Sequence, residues 1–139
     1  MEEASHCEVC GATIALRAKR CVRCNKFVNR RRAGTKPQKA VRVEALKRSW
    51  RSEDQRFHCH YTDAALDEED PHSPRYLAFD HRTPREESDI VVTMQLINDM
   101  KSDLSEDEFR TVVKALAQRF DGGAFDARVL NVTRFKRGG

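Results

Sequence analysis

No stretch of this chain approaches the roughly 20 apolar residues that a membrane-spanning helix needs, which sets aside an integral membrane role. The opening Met1-Glu-Glu-Ala4 is acidic and polar, unlike the positively charged start of a signal peptide. The expectation is a cytosolic chain with no membrane partner. Apolar side chains are scarce: 39% of 139 residues are hydrophobic and 35% are charged, so the core must be thin and helped by local staples. There is no low-complexity tract, and no internal repeat apart from a pair of cysteine motifs.

Those motifs are the first strong signal. Cys7-x-x-Cys10 and Cys21-x-x-Cys24 have the spacing of a four-thiolate structural Zn²⁺ site. Each second cysteine is followed by a residue that tolerates left-handed backbone, Gly11 and Asn25, as two matching knuckles would need. Two disulfides are the competing reading, disfavoured in a cytosolic chain. Four thiolates complete a tetrahedral site without His6 and leave no position open for water, so the zinc module, residues 1–34, is structural or an aid to binding. Cys59 is left over, between His58 and His60. It invites a second metal, although a small buried residue is the simpler reading.

Net charge is only +4, but it is unevenly spread. Between Arg17 and Arg56 stand fifteen lysines and arginines against Glu44, Glu53 and Asp54. Such a block is the electrostatic footprint of a nucleic-acid binder, with a solvated charged surface as the alternative. Arg30, Arg31 and Arg32 are candidate phosphate contacts. Beyond Gly34 and Pro37, Val43, Leu46 and Trp50 recur at helical spacing, predicting a basic helix over 38–51 within a linker segment 35–56. Trp50 is either a core aromatic or a base-stacking one.

The remainder, 57–139, carries the chemistry. Residues 61–75 read as a surface loop with two prolines and an acidic run. Tyr76 to Phe79 and the β-branched Ile90 to Thr93 predict two strands joined by a polar loop, and the period then becomes helical, with Met94, Ile97, Met100 or Lys101, and Leu104 near one stripe. Asn98 and Lys101, three apart, share a flank of that helix. Asp80 and Asn98 offer the oxygen ligands that a Mg²⁺ or Mn²⁺ ion takes, and His81 can accept a proton from water near neutral pH. The pattern suits metal-assisted phosphodiester hydrolysis. Adjacent strand residues point to opposite faces, so Asp80 and His81 can serve one ion only where the strand ends or bends.

These residues resemble the HNH endonucleases of the His-Me finger (ββα-metal) group. That family has an Asp-His at the end of the first strand, a proline shortly after, an Asn before the second strand and an Asn-x-x-Lys in the helix. Here stand Asp80-His81, Pro84, Asp89 in the Asn place, and Asn98 with Lys101. The segment Cys59-His-Tyr-Thr62 to Leu66 is similar to the Cys-x-Tyr-Thr-Gly-x-x-Leu lead-in of some HNH proteins, with Asp63 where they have glycine. The resemblance covers roughly residues 57 to 104. It implies Asp80 and Asn98 as ligands of a divalent ion, His81 as general base, and Lys101 steadying a phosphate or the helix end. Two departures stand out: a carboxylate at Asp89 accepts but cannot donate hydrogen bonds, and no Cys-x-x-Cys pairs flank the hairpin.

Arg82 and Arg85, just past the base, are candidate DNA-backbone contacts or exposed loop charges. Ser105-Glu-Asp-Glu108 has the form of a capping box before a stripe of Phe109, Val112, Val113, Leu116 and Phe120, predicting a helix laid on the hairpin. Asp121-Gly-Gly123 stops it, and Phe125 to Val132 adds a short strand or helical turn. Arg128, Arg134, Lys136 and Arg137 make a basic tail that either touches DNA or is disordered. The expectation is a small α+β metalloprotein: a four-Cys zinc module, a basic helix and a ββα-metal core with packing helices, acting as an HNH-type DNA endonuclease or nickase. A non-catalytic, zinc-dependent nucleic-acid-binding regulator or accessory protein is the alternative, and a ribonuclease of the same fold is a third reading.

Overall fold

The computed structural model describes residues 4–29 and 36–130. Arg30, Arg31 and Arg32, and Arg134, Lys136 and Arg137 of the basic tail, lie outside the described residues, whereas Arg128 of that tail is described and pairs with Asp126 at 2.9 Å. The elements run β1 (Ser5–His6), β2 (Thr13–Ile14), α1 (Val22–Val28), α2 (Lys36–Ser49), β3 (Trp50–Arg51), β4 (Arg56–Phe57), β5 (Leu77–His81), β6 (Ile90–Met94), α3 (Gln95–Lys101) and α4 (Glu106–Phe120), then a 3₁₀ turn, Ala127–Leu130. Three separate two-stranded antiparallel sheets result, β1–β2, β3–β4 and β5–β6. Together they make a mixed helix and small-sheet fold.

The cysteine module does not stand apart from the rest. One cluster of buried side chains joins Cys7, Val9, Cys24, Phe27 and Val28 to Val43 and Leu46 of α2, Phe57, Leu66, Leu77 and Val92. Phe27 contacts Phe57 edge-on at 6.5 Å between ring centres. Polar contacts reinforce the join. Arg23 grips the Glu68 carboxylate with two guanidinium nitrogens, the Nε bond being 2.6 Å, and stacks over Trp50 at 4.9 Å. Lys26 donates to the Glu68 carbonyl at 2.9 Å. A chain short of apolar residues thus makes one core from several thin elements, where burying each large apolar side chain contributes about 1.5–3 kcal/mol.

Several expectations about helices need correction. The basic helix ends at Ser49, not Arg51, because Trp50 and Arg51 turn into β3 and pair with Phe57 and Arg56. Val43, Leu46 and Ser49 form its buried stripe. Trp50 instead packs on Phe57 at 5.0 Å, which makes it a core aromatic. Asn25 does not make a second left-handed knuckle: it lies inside α1, and its side chain accepts from Arg20 and Asn29. Gly11 alone of the pair has positive φ, at +79°.

Helix α4 begins at the expected box, with Ser105 and Glu108 capping each other's backbone N–H groups. Its first turns dock as predicted: Phe109 is buried, Tyr61 packs edge-on against it at 6.0 Å, and the Glu106 N–H donates to the Arg82 carbonyl. The far half does not lie on the hairpin. Val113, Leu116 and Phe120 are exposed, because a seven-residue α3 and a two-stranded sheet offer too little surface to cover a fifteen-residue helix. The segment 61–75 is mostly loop, yet it buries Leu66 completely. No helix among the described residues is long and apolar enough to cross a membrane.

Candidate active site and metal centre

The four thiols come together from two local devices. In the first, the tight turn through Gly11 returns the Gly11 N–H to the Cys7 carbonyl at 3.0 Å. In the second, Cys21 is the N-cap of α1, and its sulfur accepts from the Cys24 N–H at 3.4 Å. The result is a group whose sulfur atoms all lie within 4.8 Å of one another, the one such cluster of ligand residues among the described residues. The Cys10 and Cys21 sulfurs are 3.7 Å apart. That is too far for a disulfide, whose bond is about 2.05 Å, and close to the ~3.8 Å edge of a tetrahedron with Zn–S bonds of ~2.3 Å.

Electrostatics in the cluster fit a cation. Burial works against a thiolate at Cys7, but backbone hydrogen bonds at Cys10, Cys21 and Val9 outweigh it and bring its pKa down to about 6. Burial and neighbouring sulfurs push Cys10 and Cys24 up. Four thiolates so close repel each other unless a divalent ion neutralises them, so the donor set fits a metal such as zinc. His6 bonds to the Gly11 carbonyl region at 3.3 Å and is not in the cluster.

The second site lies where β5 ends beside the last turn of α3. Register pairs Asp80 with Val91 and His81 with Ile90, so both residues close the hairpin beside the 82–89 loop. A cavity of about 640 Å³ there is lined by Asp80, His81, Pro84, Arg85, Asn98, Lys101, Asp103 and Glu108, among others. Asp80 and His81 both reach it because His81 is the last residue of its strand.

Asp80 is only 4% exposed. One carboxylate oxygen accepts from the Tyr61 hydroxyl at 2.8 Å, and the other faces the Lys101 ammonium at 3.4 Å. Burial and the bond to Asp80 hold the Tyr61 phenol strongly protonated, far above its ordinary range. Lys101 is 1% exposed, and it donates to the His81 carbonyl at 2.7 Å. Its amine is therefore directed at protein groups that fix the end of β5, the helix-end role, rather than at a solvent-borne phosphate. Of the two candidates for the inner stripe at this turn, Lys101 is buried and Met100 exposed.

His81 has a half-exposed side chain, but its Nε2 is buried and bonded to nothing. Glu87 lies 3.4 Å away without hydrogen-bond geometry. Among the described residues the Asn98 side chain has no hydrogen-bond partner either, so its amide oxygen remains open to a ligand beside Asp80. Asp89 holds the loop: its carboxylate accepts from the Thr83 hydroxyl at 3.0 Å and pairs with Arg82 at 3.3 Å, while its carbonyl accepts from the Arg82 N–H. An acceptor-only side chain suffices because its neighbours there are donors. Asp63, at the glycine position of the lead-in, adopts φ +58°, a left-handed conformation in which Asp is among the better tolerated residues.

The two loop arginines part company. Arg85, itself left-handed at φ +69°, lines the Asp80 cavity, whereas Arg82 lines a different cleft. Cys59 is buried, 3.4 Å from the Thr93 hydroxyl. Its two histidines turn elsewhere, His58 to Asp54 at 2.6 Å and His60 to Glu106 at 2.6 Å, so these three residues do not converge on one ion. Sequence reasoning missed Tyr61 as the partner of Asp80, and missed Asp103 and Glu108 as cavity walls. The lead-in motif marked Tyr61, but nothing local linked it to a residue nineteen positions on. No family model matches this chain, and no curated protein or solved structure matches it either.

Proposed function

We propose that this chain is a divalent-metal-dependent phosphodiester hydrolase of the HNH, His-Me finger type, acting on DNA as an endonuclease or nickase. The observation that supports this reading is the convergence of Asp80, His81 and Asn98 on one cavity at the end of a hairpin that runs directly into a helix. The donor set suits a Mg²⁺- or Mn²⁺-type ion: each Asp80 oxygen has one donor and keeps a further lone pair, and the Asn98 amide is uncommitted. Such an ion, when bound, stabilises charge on the phosphate and on the leaving oxygen. His81 takes the proton from the attacking water. Lys101 and Tyr61 position Asp80. Arg85, at the cavity wall, meets the substrate backbone.

The test is nicking of supercoiled plasmid with added Mg²⁺ or Mn²⁺. His81→Ala is expected to cut at least about 10²-fold more slowly with DNA affinity close to wild type, Asp80→Ala to lose ion binding and cleavage together, and Asn98→Ala to do so more mildly. Cleavage by His81→Ala at the wild-type rate sinks the proposal. One observation favours a second reading, a zinc-dependent nucleic-acid-binding protein without catalysis: the Asp80 carboxylate already has a hydroxyl and an ammonium as partners, as a purely structural aspartate would. Under that reading no preparation cuts, with any divalent ion. A ribonuclease would cut RNA and spare the plasmid.

A further inference from the structure

We infer that a second cleft, between α2, the 58–63 turn and the loop entering β6, seats backbone phosphates of a nucleic acid on Arg48, with Arg51 and Arg82 at its sides. The cleft, about 360 Å³, shares no lining residue with the Asp80 cavity. The inference rests on the nucleic-acid reading above but not on cleavage.

Charge and orientation carry the argument. Arg48 Nη2 donates to the Ile90 carbonyl at 2.9 Å, which fixes the plane of the guanidinium and leaves its other N–H groups open. Among the described residues no carboxylate lies within 4 Å of it, so this cation is uncompensated. Arg51 and Arg82 each have one carboxylate partner, Asp63 and Asp89, both at 3.3 Å. Three guanidinium groups against two carboxylates leave the cleft cationic, in planar groups suited to phosphate oxygens. A neighbouring depression lined by Ala40, Val41 and Glu44 shares Arg48 and Ser88 with the cleft. The two run on as one groove along α2. From Ala40 to Arg48 the helix rises about 12 Å, and one strand of a duplex presents a phosphate about every 3.4 Å of axis. The groove is therefore longer than a lone inorganic anion needs, with the Glu44 carboxylate toward its Ala40 end and its cations gathered at the Arg48 end.

The experiment measures binding of a labelled DNA duplex by the full chain, without added divalent ion, across a salt series from about 50 to 200 mM. Arg48→Gln and Arg82→Gln are each expected to reduce the slope of log affinity against log salt by about 1, and to weaken binding roughly tenfold near 0.1 M salt. Arg48→Lys keeps the charge and should keep the slope. Lys114→Gln, on α4 and outside the lining of both the cleft and the depression, should leave it unchanged. Zinc content and the thermal midpoint check folding, and Arg82→Gln carries the test if Arg48→Gln does not fold. Wild-type slopes in the Arg48→Gln and Arg82→Gln variants, or an equal loss in Lys114→Gln, overturn the inference. So does a result in which Arg48→Gln binds duplex normally but loses stabilisation by inorganic phosphate, since the cleft would then take only a small free anion. Plasmid cleavage with unaltered slopes defeats the cleft alone, and shrunken slopes without cleavage defeat the nuclease alone.

Discussion

Replacing Lys101 by methionine keeps the reach of the side chain and removes its charge, which isolates the buried pair on which the Asp80 cavity is built. The Lys101 ammonium and the Asp80 carboxylate are 3.4 Å apart, with side chains 1% and 5% exposed. Their gross attraction is about 5 kcal/mol at an effective dielectric constant of 20, comparable with the several kcal/mol that desolvating each ion costs, so the intact pair adds little net stability. Removing one member is a different matter. In Lys101→Met the Asp80 carboxylate keeps only the Tyr61 hydroxyl, the His81 carbonyl loses its 2.7 Å donor, and the expected destabilisation is about 3–5 kcal/mol. For a chain of this length that lowers the thermal midpoint by more than about 10 °C. Thermal and urea unfolding followed by circular dichroism would measure it. The double variant Asp80→Asn/Lys101→Met should be less damaged than the sum of the two single variants by about 2 kcal/mol or more. Lys101→Met should also gain more stability from added Mg²⁺ or Mn²⁺ than the wild type, because a divalent ion can replace the missing cation. A loss below about 1 kcal/mol, or additivity within about 0.5 kcal/mol, would refute the view of Asp80 and Lys101 as one coupled unit.

Elemental analysis should find one zinc per chain, and because the cysteine cluster shares its core with Phe57, Leu66 and Leu77, Cys10→Ser should lower the stability of the hairpin as well as the N-terminal turn; full thermal stability without bound metal contradicts this. His58 has its pKa raised by its bond to the Asp63 carbonyl and by Asp54, against a smaller opposing effect of burial. Its contribution is therefore complete below its unfolded value of about 6.5 and disappears as pH rises through the higher folded value, so the midpoint gap between wild type and His58→Ala should narrow from pH 6 to pH 9, and a widening gap reverses the sign argued here. Ser105→Ala removes the acceptor for the Glu108 N–H and should cost about 1 kcal/mol, read by urea unfolding; no change would mean that α4 is not held at its N-terminus.

Local signals were legible in the sequence by itself. Cysteine spacing marked the four-thiol cluster, β-branched residues the second hairpin strand, and Ser105 with Glu108 the start of α4, because each depends on bonds within a few residues. Asp80, His81 and Asn98 were legible as candidates for the same reason: their chemistry belongs to residue type and short spacing. Only the tertiary structure decided what faces them. Tyr61 meets Asp80 across nineteen positions and Lys101 across twenty-one, and burial turns that lysine from a phosphate contact into the counter-ion of an aspartate. Trp50 continues the helical period but is drawn into a strand by pairing with Phe57. Phe120 continues the apolar stripe of α4 but remains exposed, since periodicity states which face a helix would bury and not whether another surface is there to cover it. Arg48 was one cation among fifteen in the sequence. Its place, bonded to the Ile90 carbonyl in the wall of a cleft that Arg51 and Arg82 also line, is decided only where α2 meets β6.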